Sequence, residues 1–132
     1  MNLIRYVFPF TTLLTAISCK PKPNIQAEVY PQVQVISPKQ SSVYHSGEKI
    51  PLVIRAIDVN TIDSMTVIVF EKDSSSKSVY AKTIPVFQTT GNFIDTFTCI
   101  PTHDMLVSLE VQVVHSGNNK VPFFSNFFEI RK

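Results

Sequence analysis

Tryptophan is absent from this chain of 132 residues, and glycine is rare at 3. The 2 cysteines cannot build a disulfide scaffold, so packing must hold the fold. Charge of one sign is lacking as well. Twelve Lys and Arg face ten Asp and Glu, for a net charge of +2. That balance excludes the basic footprint of a nucleic-acid binder. No apolar run reaches the ~20 residues of a membrane-spanning helix. No apolar stripe at i, i+3, i+4, i+7 is sustained long enough to predict a helix. Catalytic motifs are missing too: the chain has no Gly-x-Ser-x-Gly, no His-Glu-x-x-His and no phosphate-binding glycine loop. The expectation is therefore a protein that is not an enzyme and carries no cofactor.

What is present begins with a leader. Arg5 precedes a largely apolar stretch over residues 6–17, followed by Ser18-Cys19-Lys20. A short charged region, a short apolar core and small residues at a cut site describe an export signal. Leu14-Thr15-Ala16-Ile17-Ser18-Cys19 resembles the lipobox of bacterial lipoproteins. Ala16 departs from the usual leucine three positions before the cysteine. The resemblance implies cleavage before Cys19 and covalent diacylglycerol on its thiol. Two or more acyl chains hold a protein on a membrane where one does not. An ordinary secretory cut at the same bond is the rival reading.

Lys20-Pro21-Lys22-Pro23-Asn24 follows, and X-Pro pairs favour extended backbone. This predicts a leader over 1–18, a tether over 19–30 and a single domain over 31–132. No acidic residue stands before Glu28. Among lipoproteins an aspartate beside the cysteine resembles an inner-membrane retention signal, and an acidic cluster a surface-export signal. With neither present, the expected address is the outer membrane, its periplasmic face ahead of the cell surface.

The remainder alternates with the period of strands. Seven runs are expected, over 33–37, 48–58, 64–71, 78–86, 91–100, 106–115 and 121–131. Ile50, Leu52, Ile54 and Ala56 share one face of the second run, and Met65, Val67 and Val69 one face of the third. Phe93, Phe97 and Cys99 group in the fifth. Val107, Leu109, Val111 and Val113 oppose Ser108, Glu110 and Gln112 in the sixth. Turn residues separate the runs, among them Asp58-Val59-Asn60, Thr90-Gly91-Asn92 and Ser116-Gly117-Asn118-Asn119. Pro51, Pro85 and Pro122 fall inside runs and imply edges, strand starts or bulges.

The pattern Ile36-Ser37-Pro38, Tyr44-His45-Ser46-Gly47-Glu48, Ile57-Asp58 and Ile62-Asp63-Ser64-Met65 resembles the opening half of bacterial Ig-like extracellular modules. The likeness spans roughly residues 31–115, with Thr61 where the family has glycine. It implies an immunoglobulin-like antiparallel β-sandwich of about seven strands, outside the cytoplasm, and no single activity.

Several residues could carry chemistry. His45, Cys99, His103 and Met105 are the residue types of a blue-copper centre, although the His103–Met105 spacing is tight. Asp58, Asn60 and Asp63 offer oxygens for calcium, which needs six to eight, or form an Asx-rich turn. Cys99 lacks an evident disulfide partner and is expected to be buried. Tyr30, Tyr44, Tyr80 and Phe87 could stack on sugars. Phe123, Phe124, Phe127 and Phe128 place aromatics on both faces of one strand, so one face could serve a partner. The leading expectation is a lipid-anchored cell-envelope module that binds or scaffolds without catalysis. A glycan-binding accessory lipoprotein and a small Ca- or Cu-binding sandwich are the alternatives.

Overall fold

Period-2 alternation builds six strands in the computed structural model, which describes residues 31–73, 77–115 and 123–132, without the side chains of Phe123 and Phe124. They are β1 (Gln32–Ser37), β2 (Val43–His45), β3 (Lys49–Glu71), β4 (Ser78–Thr98), β5 (Met105–His115) and β6 (Phe123–Arg131). The described residues contain no helix, and so none able to cross a membrane. The fold is all-β. The leader over 1–18, the tether over 19–30 with Cys19, the 116–119 turn and Pro122 lie outside the described residues.

The strand count and pairing differ from expectation. Two expected runs join into β3, 23 residues long, and two more join into β4, 21 residues long. The short β2, unforeseen, pairs with β6 in parallel, so the sheet is mixed rather than wholly antiparallel. The order is β1-β3-β5-β6-β2, with β4 on the other side of β3. The turn residues 58–61 do not end a strand; they bend one. Between Ile57 and Ile62, β3 advances five residues while its partner β4 moves only from Thr90 to Gln88. Such extra residues kink a strand and increase its twist.

β4 bends opposite, where Phe87 takes a φ of 53°, a left-handed conformation that a bulky side chain rarely adopts. Pro85 lies beside this register shift, as its missing N–H requires. Pro51 stands where β3 has outrun β1, whose pairing ends at Val53.

The bends fold the β3–β4 hairpin back on itself, giving the curled sheet two limbs. One holds β1, the first part of β3 and the last part of β4. The other holds the remainder of β3 and β4 with β5, β6 and β2. Proximity across the limbs is direct. The Tyr80 ring, in register with Val69, lies 5.3 Å from the Phe97 ring, in register with Ile50.

The facing sides are filled by the residues that alternation selects. Ile50, Leu52, Ile54 and Ala56 meet Val67, Leu109, Val111 and Phe128 in one cluster of fully or nearly fully buried side chains. Each such aliphatic or aromatic side chain contributes roughly 1.5–3 kcal/mol on burial. This face therefore outweighs any single polar pair in holding the limbs together.

Candidate functional site

Polar residues gather at three places, two of them in or beside the apolar interior and one at the surface. The first lies at the bend. Inward positions on β3 run Ile50, Leu52, Ile54, Ala56 and then Asp58; those on β5 run Val107, Leu109, Val111, Val113 and then His115. Both series therefore end on a polar side chain inside the molecule. Asp58 is 4% exposed and His115 7%. The Asn60 N–H donates to Asp58 Oδ1 at 2.9 Å. Asp58 Oδ2 lies 3.6 Å from His115 Nδ1, and neither atom has a hydrogen-bond partner among the described residues. A pair at that distance falls short of a hydrogen bond, and each unpaired buried polar group costs about 1–3 kcal/mol. Carboxylate and imidazole are the groups of acid–base chemistry. Here they are sealed from solvent, so no substrate atom reaches them as the structure stands.

The second place is the edge made by β4. Asp95 alternates with Phe93 and Phe97 on the inward side. Its Oδ2 accepts hydrogen bonds from Tyr80 Oη at 2.7 Å and from Lys82 Nζ at 2.6 Å, and its Oδ1 accepts from the Thr96 N–H at 2.7 Å. These donors hold the Asp95 carboxyl well below the usual carboxylate range, the Lys82 contact foremost. Burial and the neighbouring carboxylate push the Tyr80 phenol above its ordinary value. Inward-pointing charges are one means by which edge strands resist pairing with other chains. The three side chains tie one limb to the other along this edge.

The third place is a cleft of about 240 Å3 lined by Gln32, Val33, Gln34, Arg55 and Ile57, beside the start of β1. Arg55 makes no ion pair among the described residues. The cleft offers one guanidinium and amides to an anion or a hydroxyl.

The expected site residues are scattered. His45 ends β2, where its backbone N–H donates to Glu48 Oε2 at 2.6 Å. His103 Nε2 lies 2.7 Å from Glu71 Oε1, and its Nδ1 lies 3.2 Å from Thr102 Oγ1. Met105 packs into the core, and Cys99 is half-buried against it, where burial pushes its thiol up. Among the described residues no three His, Cys, Asp or Glu side chains gather closely enough to hold a metal ion. Asp58 and Asn60 do form the Asx turn, but the second Asp58 oxygen faces His115 rather than Asp63.

The aromatic groups divide in the same way. Tyr44 packs edge-on against Phe128 at 5.8 Å, and Tyr80 against Phe97. Phe87 is 72% exposed at the bend. Tyr30 lies outside the described residues. On β6, Phe128 is fully buried, while Phe127 is half-buried beneath Lys72 Nζ, 4.9 Å from the ring centre. Phe123 and Phe124 pair through their backbones with Gln112 and Val111. The β5–β6 register is unbroken, so no bulge re-aims the aromatic run.

Asp58, His115 and the buried Asn126 were not singled out from sequence as interior polar groups. The signal existed, since each continues an inward series, but a lone polar residue in an alternating strand reads equally well as solvated.

No family model matches the chain, and no curated protein sequence matches it. Solved structures give partial likenesses. One is a sporulation control protein, Spo0M, from Bacillus subtilis, 14% identical over 76% of this chain and 49% of that one, with a TM-score of 0.49. Another is a β-glucuronidase from Parabacteroides merdae, 18% identical over 76% of this chain but 14% of that one, with a TM-score of 0.48. A family 76 glycoside hydrolase from a bovine Bacteroides thetaiotaomicron strain is 12% identical over 74% of this chain and 19% of that one, with a TM-score of 0.40. The chain thus spans less than half the length of each of these proteins.

Proposed function

We propose that this protein is a lipid-anchored cell-envelope module, an Ig-like β-sandwich that binds or scaffolds without catalysis, held on the outer membrane through acylated Cys19. The observation that carries the reading is the junction of two parts. A lipobox-like stretch ends at Cys19, and an all-β domain starts at Gln32, only a Pro- and Lys-containing tether later. Support for the Ig-like arrangement comes from the way β1 sits beside β3 while β2 crosses to run parallel with β6. The membrane is the one partner that this chemistry specifies.

The test is the mass of the N-terminal peptide of the protein purified from membranes. The expected result is a peptide beginning at Cys19 and carrying acyl chains, and its loss in Cys19→Ala together with release into the soluble fraction. An unmodified Cys19 in membrane-derived protein would overturn the anchor. Protease treatment of intact cells then separates the two faces, with protection until the outer membrane is opened expected for the periplasmic side.

A further inference from the structure

Among the described residues, the two ends of the folded hairpin differ in charge, although exposed apolar side chains occur at both. One end gathers the bends of β3 and β4 and the last residues of β5, because Ile62 is in register with both Gln88 and His115. Val59, Phe87 and Val114 lie there, 65%, 72% and 38% exposed. Asp58 at this end is buried and Asp63 is half-buried. Among the described residues, the exposed charged side chain nearest the bend in register is a cation, Arg55. At the opposite end stand Glu48, Glu71, Asp73, Asp104 and Glu129, interspersed with Lys39, Lys49, Lys72 and Arg131.

The conformation of Phe87 adds a second observation. Its left-handed backbone is strained for an aromatic residue, and the bulge leaves the ring in solvent. Strain of this kind persists only where the surrounding structure imposes it, and an exposed ring gains nothing from it in water.

The chain's attachment says what meets this end. Gln32 is in register with Ile57, so the chain enters β1 at the bend end. Eleven residues, 20–30, separate Cys19 from residue 31, a reach of at most ~40 Å even when fully extended. We infer that the bend end is a lipid-docking face, with Val59 and Phe87 seated in the interfacial layer of the membrane that holds the anchor. The inference rests on the anchor reading above and adds an orientation to it: the charged end points away from the bilayer. Apolar and aromatic side chains at the headgroup boundary supply the second attachment that turns a tether into a fixed stance.

The absence of tryptophan makes the test direct. Full-length processed protein is reconstituted into phosphatidylethanolamine–phosphatidylglycerol vesicles containing doxyl-labelled phosphatidylcholine. Phe87→Trp and Val59→Trp serve as single reporters, with Ile100→Trp, at the charged end and 82% exposed, as the control. The expected result is several-fold stronger quenching by doxyl lipid at positions 87 and 59 than at 100, and several-fold weaker quenching by aqueous iodide. Equal iodide quenching at all three positions would overturn the inference. So would shielding of 87 that appears before vesicles are added and grows with protein concentration, which would assign this end to a second copy of the chain. The mass of the Cys19 peptide is read on the same sample. If Cys19 proves unmodified, the anchor reading fails by itself. Lipid quenching at 87 and 59 on simple mixing with the vesicles then upholds the docking face, and its absence overturns that as well.

Discussion

An inward-facing carboxylate on an edge strand survives only if donors meet it, and Asp95 has three. Its lowered proton affinity has a consequence for stability. A depressed folded-state pKa contributes stability above the unfolded value of about 3.9, and that contribution is lost as pH falls through the folded value. Tyr80 has the opposite shift. Its contribution is present below the unfolded value of about 10 and is lost as pH rises toward the folded one. The trio's contribution to the thermal midpoint should therefore be flat between these limits and fall on both sides. Asp95→Asn should lower the midpoint on the plateau and flatten its acid limb, and Tyr80→Phe should flatten the alkaline limb. Unchanged limbs in both variants would remove the trio from the account. At this scale the sequence was legible in direction but not in contact. Alternation alone puts Asp95 between Phe93 and Phe97, and Asp58 after Ala56. It cannot bring Tyr80 to Asp95, or Asp58 to His115, because both meetings require the hairpin to fold over itself.

At the scale of elements, the apolar faces of β3 and β5 follow the alternation. The strand ends do not. Asp58-Val59-Asn60 and Thr90-Gly91-Asn92 have the composition of turns yet lie within β3 and β4. The reason is that a bent strand needs the same permissive residues as a chain reversal, and composition cannot tell a kink from an end. Gly91 is a case in point. It adopts no left-handed backbone; an added Cβ would run into Met65 Sδ and stand 3.2 Å from both Val86 methyls. Glycine is there for room, so that the second limb can close over the bend. Gly91→Ala should cost about 1–3 kcal/mol through overpacking, and Met65→Ala should recover part of that loss in a double-mutant cycle, read by urea denaturation. Additive losses would mean that the contact with Met65 is not what glycine relieves. Gly47, with φ of 79° in the turn before β3, shows the other use of glycine, and that one was readable from its neighbours.

Across the whole molecule, the second and last strands are joined although they lie far apart in the chain. Val43 of β2 is in register with Glu129 of β6. The Ser41 N–H donates to the Phe127 carbonyl at 2.8 Å, and the Glu129 N–H donates to the Ser42 carbonyl at 2.9 Å. Asn126 fastens this seam. It is 5% exposed, its Nδ2 donates to the Pro38 carbonyl at 2.8 Å, and its Oδ1 accepts from the Phe127 N–H at 3.0 Å. Nothing in the alternation announces the seam, since β2 has only three residues and its partner is more than eighty positions away. Closing so long a loop is entropically costly and is repaid only once the core exists. The seam should therefore be the part of the fold that opens first. Asn126→Leu leaves the Pro38 carbonyl, itself buried, without its donor, at a cost of about 1–3 kcal/mol. Hydrogen exchange reads where that loss falls. The Ser41 and Glu129 amides should exchange faster in the variant, while those of Val67 and Leu109, in the centre of the β3–β5 ladder, keep their protection. Uniform loss of protection would instead make the seam part of one cooperative unit with the core. The lipid-docking end lies at the bend, away from the β2–β6 register, so an opened seam should leave the Phe87 reporter in its lipid environment.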